Sequence, residues 1–307
     1  MFKYVVRRLL ASLVTLFLIA TATFFMLRAV PGNPFTREKE LPPLIEQQLL
    51  EKYNLDGPLH EQYFDYMLNL LRGDLGVSFQ KVGVEVNEII ATSFPTSAGL
   101  GLTASCAVIL IGIPLGLIAA LKKNKWPDYV VSVIATLGIA VPSFVVGTSL
   151  MYVLGELLSV IPTSGLRTPD AYIAPVIALG GFSIAFVSRL TRSSMLDVLG
   201  QDYIRTAKAN GLSWNKVIFK HGLKNALIPV ITYLGPMIAA ILTGSFVVEK
   251  IFAIPGMGRY FVESIGNRDY SLVMGVTLFY ATIYIFMVFL VDIAYALIDP
   301  RIKLDDN

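Results

Sequence analysis

Six stretches of this 307-residue chain carry very few charges: about 9–29, 97–121, 129–157, 173–190, 225–248 and 272–297. Crossing roughly 30 Å of hydrocarbon takes about 20 mostly apolar residues in an α-helix. The pattern therefore predicts six transmembrane helices. The third stretch holds Pro142, which removes a backbone donor and predicts a kink. The fourth is the shortest and begins near Pro175. Residues 31–96 are polar, opening with Pro31-Gly32-Asn33-Pro34 and turning at Asp56-Gly57-Pro58. After that turn Leu59, Tyr63, Tyr66, Met67 and Leu70 recur at helical spacing. One or two amphipathic helices lying on a membrane face are expected there. A second polar segment, about 191–224, separates the fourth stretch from the fifth. No repeat of 20–50 residues is present.

Composition agrees with the pattern. Hydrophobic residues make up 55% and charged residues 15%, against roughly a quarter charged in a soluble domain. Soluble, disordered and nucleic-acid-binding classes are excluded, and a net charge of +3 argues for no nucleic-acid partner. Fifteen of the 25 Lys and Arg residues fall on one side of the six spans: Lys3, Arg7 and Arg8; Lys122, Lys123 and Lys125; seven from Arg189 to Lys224; Arg301 and Lys303. The positive-inside rule places both termini in the cytoplasm. Residues 1–30 then form an N-terminal transmembrane helix and 31–96 an extracytoplasmic segment. Residues 97–298 form a five-helix core with a cytoplasmic loop at 191–224, and 299–307 a cytoplasmic tail. The first apolar run is too long for a signal peptide, and Phe25-Met26-Leu27-Arg28 is no small-residue cleavage site.

Much chemistry is missing from the sequence. There is no GxxxxGK[ST], HExxH or GxSxG pattern. His60 and His221 fall on opposite sides of the membrane, and Cys106 is the single cysteine, so neither a shared metal site nor an intrachain disulfide is expected. Asp292, in the last span, is the clearest ionisable group at membrane depth. It serves either a functional site or a local pair near the cytoplasmic end. Glu249 and Lys250 mark the outer exit of the fifth span or a local ion pair, or else a substrate site.

The segment Asp202-Tyr203-Ile204-Arg205-Thr206-Ala207-Lys208-Ala209-Asn210-Gly211 reads as a short helix stopped by Asn-Gly. Thr206, Ala207 and Ala209 give it a surface of little bulk that another protein's groove can approach closely. Ser213 offers a hydroxyl N-cap for a second helix, 214–224, along which Lys216, Lys220 and Lys224 form a basic stripe. Two readings follow from the physics: a mechanical lever braced between two spans, or a linker resting its lysines on anionic headgroups.

Arg205-Thr206-Ala207-x-x-x-Gly211 followed by Asn225-Ala-Leu-Ile-Pro229 resembles the EAA loop of permease subunits in binding-protein-dependent ABC importers. Arg replaces the leading Glu and the spacing to the proline is longer, as is usual in the peptide/nickel branch. Six further segments resemble the same branch: Tyr4-Val-Val-Arg7-Arg8-Leu-Leu, Arg72-Gly-Asp-Leu-Gly76, Pro142-Ser-Phe144, Phe252-x-x-Pro255-Gly-x-Gly258, Arg268-Asp269-Tyr270 and Asp299-Pro300-Arg301. They run in order along essentially the whole chain, which looks like a B-type permease of an oligopeptide or dipeptide importer.

The resemblance implies an all-α integral membrane protein with the type I ABC importer transmembrane-domain fold, multi-pass in a bacterial or archaeal cell membrane. It implies half of a translocation pathway, paired with a homologous C-type permease, two ATP-binding subunits and an extracytoplasmic binding protein. No cofactor is expected on this chain; ATP and Mg belong to the partner subunits, which hydrolyse the nucleotide. Tyr203, Arg205, Thr206, Ala207, Ala209 and Gly211 become the coupling helix and ATPase contact, with Gly211 and Ala207 foremost. Pro255, Gly256 and Gly258 become an outer gate or binding-protein contact, either a re-entrant scoop or a plain loop. The segment 31–96 becomes a docking surface, or else a lid over the membrane face. Spans three to five are expected to line the pore, with Gly147, Gly180, Gly181, Gly235 and Gly244 allowing close packing there. Nickel chelates, glutathione and sugars are the other substrates of the branch. An ion-coupled carrier or a membrane enzyme is disfavoured by the lack of clustered ionisable groups in the spans.

Overall fold

The computed structural model describes residues 2–30, 35, 42–81, 83–243 and 246–298. The Pro31-Gly32-Asn33-Pro34 turn, Gly244 and the Asp299-Pro300-Arg301 tail lie outside these residues. The described residues are helical, with one isolated bridge between Val77 and Glu85. The helices are α1 (Phe2–Ala29), α2 (Pro43–Lys52), α3 (Leu59–Leu71), α4 (Val86–Leu121), α5 (Trp126–Ala140), α6 (Ser143–Leu157) and α7 (Ile173–Leu199). They continue with α8 (Asp202–Ala209), α9 (residues 214–243), α10 (Phe246–Ile251), α11 (Met257–Gly266) and α12 (Tyr270–Ile298). Five helical stretches are long and apolar enough to cross a membrane, and α5 with α6 makes a sixth if the bent pair counts as one span.

The expected kink at Pro142 is a break of 105°. Val141 is extended, at φ −87° and ψ 124°, because the following proline ring excludes it from the helical region. α6 then starts directly after Pro142. Within 191–224, α7 runs on to Leu199 and α9 begins at Trp214. The amphipathic helices expected in 31–96 are α2 and α3.

The chain divides into two compact units, Met1–Thr96 with Pro255–Phe289 and Ser97–Ile254 with Leu290–Asn307. In the first, Phe24, Tyr270 and Met274 form one buried cluster, and Val86, Ile89, Met257, Leu272 and Val276 another. Asp269 organises this unit. Its buried carboxylate accepts hydrogen bonds from Ser78 Oγ at 2.5 Å, from the backbone N–H of Phe79 at 3.1 Å and from that of Leu272 at 3.2 Å. The last bond caps the first turn of α12 while the others hold the 78–80 turn.

In the second unit α7 is central. A Cβ on Gly116 of α4 would collide with Ser188 and Thr191 of α7 and one on Gly112 would press on Val187, so these two glycines, four residues apart, let the helix axes approach. Gly138 of α5 plays the same part against Ala185.

Candidate functional site

α8 is eight residues long and lies between the end of α7 and the start of α9. Ile204 and Ala207 are buried on one face, against Val217, Val198, Leu199 and Leu212. The short helix is therefore fastened to both neighbouring helices by apolar packing. Tyr203, Arg205, Thr206 and Ala209 are exposed. Ala207 is thus not part of the low-bulk outer surface expected from sequence: its small size serves the inner face, where only 8% of it remains accessible.

Polar contacts complete the fastening. Thr206 Oγ1 donates to the Asp202 carbonyl at 3.0 Å, and Arg205 lies 3.4 Å from the Asp202 carboxylate. The Lys208 ammonium sits 4.0 Å from the Trp214 ring centroid. Asn225 Nδ2 donates to Tyr203 Oη at 3.2 Å and to the His221 carbonyl at 3.0 Å. This bond joins the two pieces of the loop motif, 22 residues apart. Gly211 has φ +75°, the left-handed conformation expected of the Asn-Gly stop. Ser213 occupies the cap position before Trp214, but its side chain makes no capping hydrogen bond, contrary to expectation. Lys216, Lys220 and Lys224 are all exposed; Lys220 lies on wide π turns at Val217–Leu223, and Lys216 and Lys224 flank them.

Sequence reasoning missed the ion pair at the α5–α7 contact. Arg192 Nε donates to Asp128 Oδ1 at 2.5 Å and Nη2 to Oδ2 at 2.8 Å, while the Asn124 N–H adds a third bond to Oδ2 at 2.9 Å. The only signal in the sequence was an acid in the first turn of a helix starting Trp-Pro-Asp.

A cavity of about 370 Å³ occupies the crook of the α5–α6 bend, lined by apolar residues of α4 to α7. Of the glycines expected to allow close packing, Gly147 packs against Ala178 and Phe252, Gly180 against Val108 and Gly235 against Val291, whereas a Cβ on Gly181 would meet nothing within 4 Å and Gly181 lines this cavity.

At the expected outer gate, Pro255 is exposed and Gly256 buried before α11 begins. Gly258 is inside α11 and buried, so it is neither in a turn nor in a plain loop. The sharp turn lies one step earlier, where Ala253 takes φ +49°. On α11 Arg259 Nε donates to Glu263 at 2.6 Å, and that carboxylate holds the guanidinium above its ordinary range. Glu249 is fully buried while Lys250 beside it is exposed. Asp292 is partly buried.

Residues 112–304 match the family described as binding-protein-dependent transport system inner membrane component, and residues 1–101 match its N-terminal companion. The dipeptide transport system permease protein DppB of Bacillus subtilis is 47% identical over 304 residues, 99% of each chain. The oligopeptide transport system permease protein OppB of Haemophilus influenzae is 43% identical over 305 residues, covering 99% of this chain and all of that one. Among solved structures, an inward-facing form of the MetNI methionine ABC transporter superposes with a TM-score of 0.54 at 15% identity, over 68% of this chain and 94% of that chain. The fold is thus the ABC importer transmembrane fold that the resemblance implied. The family models and the relatives matched along nearly their whole length place the chain: it is a multi-pass membrane permease of the binding-protein-dependent transport system inner membrane component family.

Proposed function

We propose that this chain forms one half of the translocation pathway of an ATP-driven importer for peptides, with both termini cytoplasmic. The observation that carries the peptide substrate is identity of 43–47% along nearly the whole chain to dipeptide and oligopeptide permeases. The other half is a homologous C-type permease, and an extracytoplasmic binding protein delivers the substrate. Two ATP-binding subunits dock beneath and hold ATP and Mg; the chain itself supplies no catalytic group and binds no cofactor.

In this reading α8 seats in a cleft of one ATP-binding subunit through Tyr203, Arg205, Thr206 and Ala209. Ala207 and Ile204 form the opposite, inward face. When ATP closes the partner subunits, a force on α8 passes to α7 through the packing of Ile204 and Ala207 with Val198 and Leu199, and to α9 through Val217 and the Tyr203–Asn225 bond. The helices then rock as bodies and open the pathway outward. Coupling arises because the two ATPase states bind α8 in differently spaced positions, so each biases the pathway by its differential affinity. Gly211 sets the direction in which the chain leaves α8. Gly256 and Gly258 position α11 at the outer face for contact with the binding protein.

A tagged copy isolated in mild detergent tests the assembly. A second six-span protein and P-loop ATPases should co-purify, and the ligand held by any co-purifying binding protein names the substrate. A nickel chelate, glutathione or sugar as that ligand would keep the importer and overturn the peptide.

A further inference from the structure

In the first unit, a polar cavity of about 200 Å³ is lined by Arg28, Gln62, Asp65, Tyr66, Asn69 and Asp74, among others. Arg28 stands in the last turn of α1, its Cζ 3.8 Å from the centroid of the Phe24 ring. Its Nε donates to Gln62 Oε1 at 3.0 Å. Its Nη1 is buried and has no hydrogen-bond partner among the described residues. The Tyr66 ring stacks on the same Phe24 at 5.6 Å, and its hydroxyl is likewise buried without a partner. Burial pushes the Tyr66 phenol up, which keeps its proton in place as a donor. No carboxylate among the described residues lies within ion-pair distance of Arg28.

A guanidinium stays charged in proteins, and an unpaired buried charge is costly. A buried tyrosine hydroxyl also ordinarily finds a partner. Two donors that share one aromatic platform and one cavity lack the same thing: an acceptor carrying negative charge. A water satisfies a donor but leaves the charge unmatched, whereas a carboxylate satisfies both. The exposed carboxylates of Asp65 and Asp74 line the same cavity, and Asp74 accepts from the Gly76 N–H at 2.8 Å. Acidic groups at the mouth disfavour a dianion such as phosphate and favour a ligand whose ammonium follows its carboxylate. The space equals about six or seven waters, enough for a terminal residue and too small for a folded segment.

We infer that this cavity binds a carboxylate through Arg28 and Tyr66, and that the occupant is the C-terminal end of a short peptide. The choice of a peptide rests on the importer reading above; the carboxylate site rests on the two orphaned donors alone.

The test is calorimetric titration of the full chain in lipid nanodiscs, without nucleotide, using Ala-Ala, Ala-Ala amide and inorganic phosphate. Ala-Ala should bind, and its amide about tenfold more weakly or worse, as expected for loss of a charge-assisted pair. Arg28→Gln should abolish binding. Tyr66→Phe, which removes one hydroxyl and leaves the packing on Phe24, should weaken it about three- to tenfold. Should Arg28→Gln fail to insert, the Tyr66→Phe result decides. Equal binding of acid and amide, or no effect of either variant, overturns the site. Phosphate competing as well as Ala-Ala overturns the peptide and leaves an adventitious ion only. Failure of the importer reading shows elsewhere, as Arg28-dependent binding of Ala-Ala in a chain whose complex imports no peptide.

Discussion

Arg192 grips both oxygens of Asp128, one through Nε at 2.5 Å and the other through Nη2 at 2.8 Å. Asp128 is almost wholly buried, with 3% of its side chain accessible, while Arg192 keeps 29%. A bidentate pair at the α5–α7 contact fixes both distance and rotation of the two helices. Removing one partner strands the other in a low-dielectric site. Asp128→Asn should therefore destabilise the chain by about 3 kcal/mol, and Asp128→Leu with Arg192→Met should recover most of that. Thermal melting of the three proteins in one detergent checks this. An unchanged midpoint for Asp128→Asn contradicts the structural role.

Gly211 takes φ +75°, and a Cβ there would meet nothing within 4 Å. Space is not what requires glycine; the backbone angle is. Gly211→Val should cost about 1–2 kcal/mol locally and re-aim α9 relative to α8, while Gly211→Asn should be close to neutral. In the assembled complex, Gly211→Val should hydrolyse ATP with much reduced transport per ATP. Normal coupling in that variant would remove α8 from the mechanism.

Ala207 and Ala209 are two residues apart on one short helix and face opposite ways. Ala207→Leu should overfill the space beside Ile204 and Val217 and destabilise the chain by about 1–3 kcal/mol. Ala209→Leu should leave the melting midpoint within about 0.5 kcal/mol of the parent and instead weaken recovery of the ATP-binding subunits. Measuring melting and co-purification for both separates inner from outer face. The account fails if the two variants behave alike.

Asp269 holds the 78–80 turn and the start of α12 from one carboxylate. Asp269→Ala should free the turn at a cost of about 3 kcal/mol, since hydrogen bonds to a charged acceptor are among the stronger ones. Limited proteolysis should then cleave within 72–86 while the transmembrane core persists. Parent-like resistance would contradict that role.

Long apolar runs made the spans legible, because a bilayer demands length and hydrophobicity from consecutive residues. The Asn-Gly stop after α8 was legible too, since one residue type takes that backbone angle without strain. Three features were not. Asp128 and Arg192 are 64 residues apart, and no local pattern reports a pair formed by tertiary approach. Thr206, Ala207 and Ala209 are all small, so size alone did not tell the packed face of α8 from the open one. At Pro142 the sequence signals a lost donor, but the 105° turn arises because Val141 is extended and a new helix starts at once.

The most direct measurement is uptake of a radiolabelled dipeptide into proteoliposomes containing this chain alone, or this chain with its co-purified permease, ATP-binding and substrate-binding partners. The account predicts uptake only by the full assembly, only with ATP and Mg, and much reduced by Gly211→Val. Uptake by the isolated chain driven by an ion gradient would contradict it.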